Sequence, residues 1–246
     1  MLIDMINEKQ FRQQHMASPV YFYIPNLIGY CRVIFAVLAF FYSYDDYQRF
    51  FVFYALSALL DMADGHAARY FNQCKHISND IISYDRLIVI ASSSSQFGAV
   101  LDMVTDRCST VALIVVLSQF YPQYLNMFIF LIVLDILSHF ARLVASAGKS
   151  HKTVAQNHLS IMRIYYGNKY FLAFMCFGNE GFFLFSYLYY FFSHSIVFAI
   201  QWYVFFPICF VKQAINVIQF FQAATDIVEL DDQALLESKK SAKKTK

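Results

Sequence analysis

Four aspartates lie in or beside strongly apolar runs of the sequence, where a carboxylate is costly and is by default a candidate functional residue. Asp61 and Asp64 are separated by three positions, which places both on one face of a helix. Asp102 and Asp106 are separated by four, with the same consequence. Carboxylates that face each other repel unless divalent cations neutralise them, and oxygen-only ligands suit Mg²⁺, Mn²⁺ or Ca²⁺. Metal-bound carboxylates in turn suggest phosphate chemistry.

The elements that must position these aspartates are membrane-spanning helices. Of the 246 residues, 59% are hydrophobic, 19% are aromatic and only 15% are charged, a composition that indicates a polytopic membrane protein. We predict an all-α fold of six transmembrane helices, preceded by an N-terminal segment that is either amphipathic or loosely ordered. The predicted spans are 25–44, 49–70, 97–119, 124–146, 169–192 (interrupted at 178–181) and 195–221. The predicted organisation is a juxtamembrane segment (1–24), a membrane domain (25–224) and a flexible tail (225–246).

The residues around the aspartates form an ordered pattern, Asp-x2-Asp-Gly-x2-Ala-Arg at 61–69 and Gly-x3-Asp-x3-Asp at 98–106. This pattern resembles the signature of the CDP-alcohol phosphatidyltransferase family, and the number of fixed residues in order makes the resemblance specific. Within that family, the flanking residues 25–32, 101–110 and 163–166 are similar to the eukaryotic phosphatidylinositol synthases. The resemblance runs from about Pro25 to about Ala224 and also implies a homodimer.

The activity implied by the resemblance is transfer of the phosphatidyl group from CDP-diacylglycerol to myo-inositol, which gives phosphatidylinositol and CMP. The implied ligands of Mg²⁺ or Mn²⁺ are Asp61, Asp64, Asp102 and Asp106. Asp106 is also the implied general base toward an inositol hydroxyl. Because a carboxylate beside a cation is a weak base, Asp106 would have to lie at the edge of the metal shell.

Seven further residues are candidates for substrate binding: Asn26, Arg32, Gly65, Arg69, Gly98, Lys152 and Arg163. Arg32 lies well inside an apolar run, so it needs a partner, either a phosphate or one of the aspartates. Arg69 either meets a substrate phosphate or neutralises part of the aspartate cluster. The alternatives are an interface cap for Asn26 and helix packing for Gly65. For Lys152 and Arg163 the alternative to contact with inositol is an ordinary position on the cytosolic side.

The placement of Lys and Arg predicts the orientation. Most basic residues fall on the side that holds both termini, the aspartate motif and the 147–168 connection, whereas Arg49 stands on the other side. The positive-inside rule therefore places the termini and the aspartates in the cytosol. The final residues 243–246 fit a dilysine pattern for retrieval to the endoplasmic reticulum, with a generic basic tail as the alternative.

Residues 74–93 are an insertion of about twenty residues between the two halves of the signature. They are either a surface loop, an alternative exon or a translated intron, and a cytosolic loop can lengthen at modest entropic cost.

Two functional alternatives remain. One is the same chemistry with another alcohol acceptor, and the other is an inactive membrane scaffold in which the insertion has uncoupled the two halves of the site. A transporter is disfavoured because the sequence shows no internal repeat. The scattered cysteines and histidines disfavour a zinc site.

Overall fold

A computed structural model of the chain describes residues 19–70, 96–147 and 160–244. The regular elements in these ranges are all helices, which confirms the predicted all-α class. The α-helices are α1 (Ile24–Tyr42), α2 (Tyr47–Tyr70), α3 (Gln96–Phe120), α4 (Leu125–Ala147), α5 (Ser160–Gly167), α6 (Lys169–Phe192), α7 (Ser195–Ile200) and α8 (Phe206–Lys244). Short 3₁₀ helices cover Pro19–Phe22 and Pro122–Tyr124, and a π turn at Gln201–Phe205 joins α7 to α8.

Four helical stretches of the described chain are long and apolar enough to cross a membrane, as expected for a polytopic membrane protein. They are Ile24–Tyr42, Pro122–Ser146, Lys169–Phe192 and Ser195–Lys240. The other two predicted spans coincide with α2 and α3, which carry the aspartates and are less apolar for that reason. Six spans therefore remain a prediction. The N-terminal segment 1–18 and the insertion 74–93 lie outside the described residues.

The predicted interruption of the fifth span at 178–181 is wrong, because α6 is continuous through it. The glycines there serve close packing instead. A Cβ atom at Gly178 would collide with Ile208, and one at Gly181 would collide with Phe205. Helices in a membrane approach each other closely where small residues stand at the contact. Gly178 and Gly181 therefore shape the contact of α6 with the segment around the π turn and α8, and they do not end the helix.

The predicted connection 147–168 and the predicted tail also contain more helix than the sequence suggested. The short helix α5 lies within the connection, and α8 continues without a break to Lys244. The residues from 225 onward include Ala, Leu, Glu and Lys and contain neither Gly nor Pro, so their helix propensity is high. The part of the tail up to Lys244 is thus helical.

The described residues fall into two compact units. The first contains α1, α2 from Gln48 onward, and α3 up to Thr105. From Asn26 onward the buried residues of α1 recur every three or four positions and form one face; the buried residues are Pro25, Asn26, Gly29, Arg32, Ala36 and Ala39. Phe40 packs against Phe50 and Tyr54 of α2, with ring centroids 5.9 and 6.1 Å apart. Small residues and aromatic pairs thus hold α1 against its neighbours.

The second unit contains the loop 43–47, α3 from Asp106 onward, and helices α4 to α8. Within it, α8 packs against α4 and α6. A buried cluster joins α5, α6 and α8 through Met162, Tyr165, Met175 and Ile215. Many large apolar side chains point outward from the described helices, as suits a surface that faces lipid.

Candidate active site

Arg32 bridges two of the predicted aspartates within the first unit. Its Nη1 donates to Asp102 Oδ1 at 2.5 Å, and its Nη2 lies 2.5 Å from Asp61 Oδ1. One carboxylate oxygen of Asp61 lies within 4.8 Å of one of Asp102. The sequence required a partner for Arg32, either a phosphate or an aspartate, and the structure shows aspartates in that place.

The helices of the first unit approach each other closely next to this bridge. Gly29 precedes Arg32 by three positions, and a Cβ atom there would lie 2.8 Å from Cδ2 of Leu101, the residue directly before Asp102. Ser57 Oγ of α2 donates to the backbone carbonyl of Arg32 at 3.1 Å. The close approach at Gly29 and the hydrogen bond from Ser57 therefore hold α1 in a position from which the Arg32 guanidinium reaches both aspartates.

The bridge combines a buried cation with carboxylates that remain open to their surroundings. The side chain of Arg32 is 3% exposed, whereas those of Asp61 and Asp102 are 45% and 20% exposed. The planar guanidinium presents its donors in a fixed fork, so it can orient two carboxylates at once.

Asp106 lies one turn after Asp102 along α3, as the spacing predicted. The Asp106 side chain is 39% exposed. In the second unit, Arg107 Nη2 lies 3.9 Å from Asp106 Oδ2, while Arg107 Nη1 donates to Asp135 Oδ1 at 2.9 Å. Arg107 thus stands between an exposed aspartate of the signature and a buried aspartate of α4.

Three of the other predicted residues have described side-chain environments. Asn26 is 1% exposed, and its Nδ2 donates to the Val20 carbonyl at 2.6 Å, which ties the first 3₁₀ turn to the start of α1. Gly98 is buried in the first turn of α3. Arg163 is exposed on α5.

The remaining predicted residues are described only in part or not at all. The backbone of Asp64, Gly65 and Arg69 continues α2 as helix, but their side chains lie outside the described part of the chain. Lys152 lies outside the described residues altogether. The metal and phosphate roles of these residues therefore stay predictions.

The second unit contains buried ionisable residues that the sequence reasoning did not single out. Asp135 of α4 is 4% exposed and Lys212 of α8 is 2% exposed. Each stands in an apolar run, so the rule that drew attention to Asp61, an ionisable residue inside a membrane span, would have identified both. Which residues they face was not readable from the sequence.

Comparison with known proteins identifies the family. The family model described as CDP-alcohol phosphatidyltransferase matches residues 22–78. The CDP-diacylglycerol–inositol 3-phosphatidyltransferase of Candida albicans is 37% identical over 229 residues, which cover 91% of this chain and 90% of the relative. The chain belongs to the CDP-alcohol phosphatidyltransferase family.

Other similar proteins of the same name include those of Homo sapiens and Saccharomyces cerevisiae. The human protein is 36% identical over 86% of this chain and 94% of its own length. The yeast protein is 39% identical over 87% of this chain and 90% of its own length. The CDP-alcohol phosphatidyltransferase model ends its match at residue 78, inside the segment predicted to be an insertion, 74–93. No solved structure matches the chain.

Proposed function

We propose that the chain transfers the phosphatidyl group of CDP-diacylglycerol to myo-inositol and releases CMP. The observation that carries the proposal is the near full-length similarity to relatives named CDP-diacylglycerol–inositol 3-phosphatidyltransferase. The bridge from Arg32 to Asp61 and Asp102 supports the phosphoryl-transfer part, because it gathers carboxylates of both halves of the signature around one buried cation.

The aspartates suit a divalent cation. Their donor atoms are carboxylate oxygens, which are the ligands that Mg²⁺ and Mn²⁺ prefer. Arg32 contacts Oδ1 of Asp61 and of Asp102, and each carboxylate carries a second oxygen. In our proposal the ligands are Asp61, Asp64, Asp102 and Asp106. A cation bound there would neutralise the pyrophosphate and stabilise negative charge on the departing CMP.

Asp106 is the proposed general base. It takes the proton of an inositol hydroxyl while that oxygen forms a bond to the lipid-side phosphorus, and the bond from this phosphorus to CMP breaks with its electron pair going to CMP. Two observations support the role: Asp106 is one turn from Asp102, and its side chain is more exposed than that of Asp102. A base at the edge of the metal shell stays accessible to the acceptor.

The remaining predicted residues complete the proposed substrate contacts. Arg69 contacts phosphate, while Asn26, Gly65 and Gly98 shape the nucleotide side of the site. Lys152 and Arg163 belong to the cytosolic approach of inositol. We further propose an endoplasmic reticulum location with the aspartates facing the cytosol, which the distribution of basic residues supports. The homodimer implied by the resemblance is part of the proposal and is testable by cross-linking in native membranes.

The test is inositol incorporation into lipid by membranes that express the full chain, with added CDP-diacylglycerol and Mg²⁺ or Mn²⁺. We expect incorporation, its loss on chelation, and its loss in Asp106→Asn, which keeps the shape of the side chain but removes the charge. A form that lacks residues 74–93 runs in parallel. Asp45→Asn, at an exposed loop position of the described chain, is the matched control.

The outcomes separate the alternatives. Incorporation by the full chain identifies the insertion as a tolerated loop. Incorporation by the shortened form alone would show that the insertion uncouples the two halves of the signature and would contradict the proposal for this chain. If the membranes transferred the phosphatidyl group to another alcohol but not to inositol, the proposed family chemistry would stand and the proposed acceptor would be wrong.

A further inference from the structure

Lys212 is a buried cation with an unusual set of partners. It is 2% exposed in the middle of an apolar stretch of α8. Its Nζ donates to Asn216 Oδ1 and lies 5.6 Å from the centre of the Tyr165 ring. No carboxylate of the described residues lies within 4.0 Å of it, so it makes no ion pair there. A buried charge without a counter-ion is strongly destabilising, which calls for a reason.

Asp135 of α4 is a buried acceptor that lacks a donor for one of its oxygens. Its Oδ1 accepts from Arg107 Nη1 at 2.9 Å and lies 3.6 Å from His139 Nδ1. Its Oδ2 is buried and has no hydrogen-bond partner among the described residues. Such an unsatisfied acceptor inside a protein costs free energy unless something supplies the missing donor.

These two groups belong to one neighbourhood in the second unit. Lys212 and Asp135 belong to the contact of α8 with α4, on the faces where Gln219 donates to the Ser138 carbonyl and Arg142 donates to Asp226. Arg107 links the neighbourhood to Asp106, since its guanidinium touches Asp135 on one side and lies 3.9 Å from Asp106 on the other. The neighbourhood therefore starts beside the proposed general base and extends into the buried interior.

Gln219 of α8 is a buried polar residue that uses both ends of its side-chain amide in packing. It is also 2% exposed, and its Oε1 accepts from the Tyr166 hydroxyl at 2.6 Å and its Nε2 donates to the Ser138 carbonyl at 3.0 Å. Gln219 therefore joins α8 to α5 and α4 through hydrogen bonds between helices. Lys212 and Asp135 differ from it because each keeps hydrogen-bonding capacity that the described protein leaves unused.

We propose that Lys212 and Asp135 bind hydroxyl groups of the acceptor, a neutral polyol. The Lys212 ammonium donates to one hydroxyl oxygen, and Asp135 Oδ2 accepts from a hydroxyl hydrogen. This inference rests on the proposed function and names the recognition of its acceptor. A vicinal diol can satisfy both groups at once because each hydroxyl donates and accepts.

A polyol without charge, such as inositol, carries hydroxyls that both donate and accept, so it matches the donor of Lys212 and the acceptor of Asp135 without adding a charge to the buried site.

The experiment compares Michaelis constants in membranes that express the full chain. Lys212→Met keeps the approximate length of the side chain and removes the charge. We expect it to raise the KM for inositol by about tenfold or more, because a hydrogen bond to a charged group is lost. The KM for CDP-diacylglycerol should stay within about twofold, since a site for the acceptor alone contributes little to binding the other substrate.

The matched control is Gln219→Met on the same helix, which removes an equally buried polar group with satisfied partners. We expect it to lower the thermal stability of the protein and to leave the KM for inositol unchanged. Lys212→Met should fold about as well as the wild type, because removal of the uncompensated buried charge offsets the loss of the hydrogen bond to Asn216.

An unchanged KM for inositol in Lys212→Met, in a wild type that incorporates inositol, would overturn this inference and leave the proposed function standing. Equal increases in both Michaelis constants would also overturn it, since they indicate a general distortion. Absence of inositol transfer by the wild type would overturn the proposed function and this inference together.

Discussion

Arg32 and Asp102 are 70 positions apart in the sequence and are joined by a hydrogen bond of 2.5 Å from Nη1 to Oδ1. The same guanidinium contacts Asp61, so a residue of α1 connects carboxylates from both halves of the signature. Arg32 belongs to neither half. Its position explains how two segments that are far apart in the sequence present their carboxylates to one cation.

Replacement of Arg32 tests this bridge. We expect Arg32→Lys to lower the rate of CMP release by about tenfold or more, because an ammonium cannot reproduce the planar fork that holds two carboxylates. Arg32→Met should be worse, since it leaves both carboxylates without the buried cation. Cys31→Ser, at the exposed neighbouring position, is the control and should keep the wild-type rate. A wild-type rate in Arg32→Met would contradict the role.

The metal requirement should depend on Asp61 and Asp102. We expect Asp61→Asn and Asp102→Asn each to raise the Mn²⁺ concentration for half-maximal activity by about tenfold or more, because an amide oxygen is a weaker ligand than a carboxylate. The measurement is CMP release over a titration of Mn²⁺ in chelator-treated membranes. If either variant kept the wild-type titration curve, that residue would not be a ligand.

Two glycines should respond differently to the same added methyl group. A Cβ atom at Gly29 meets the terminal methyl of Leu101, which can move aside, whereas one at Gly178 meets the branched Cβ of Ile208, which cannot. We expect Gly178→Ala to cost about 1–3 kcal/mol of stability and Gly29→Ala distinctly less. Thermal unfolding in detergent compares the two. Ile208→Ala removes the nearest atom, Cγ2, but keeps Cβ, so it should recover part of the stability lost in Gly178→Ala, and no recovery at all would show that the contact is not the cause.

The helical extension of α8 beyond residue 225 should contribute to stability. Arg142 Nη1 on α4 donates to Asp226 Oδ2 on α8 at 3.1 Å, and both side chains are 11% exposed. We expect Asp226→Asn to destabilise the protein by about 1–3 kcal/mol, because it leaves the arginine without its counter-ion. The KM for either substrate should not change. Asp231→Asn, at an exposed position of the same helix, is the control.

Much of the helical organisation was predictable because it depends on local composition. The first five predicted spans each coincide with a helix, and the sixth covers α7, the π turn and the first part of α8, since apolar runs of this length form helices in which backbone groups pair internally. The interruption at Gly178 and Gly181 was predicted wrongly. Glycine has a low intrinsic helix propensity, but at a close helix contact its missing side chain is what the packing needs.

Some features of the candidate site were likewise predictable from the sequence, and others depended on tertiary packing. The spacing of Asp61, Asp64, Asp102 and Asp106 determined from the sequence alone which carboxylates share a helix face, because that depends only on helix periodicity. The need of Arg32 for a partner was also readable, because a buried cation is costly wherever it lies. That the partners are Asp61 and Asp102 was decided by the packing of α1 against α3, where Gly29 meets Leu101.

The buried charges of the second unit show what only the tertiary structure decides. The sequence places Asp135 and Lys212 in separate apolar helices and says nothing of what each one faces. Their environments depend on how α4, α5 and α8 pack, through contacts between residues far apart in the chain. Hydrophobic periodicity determines that these helices exist, whereas interdigitation of specific side chains determines which polar groups find partners and which remain for a ligand.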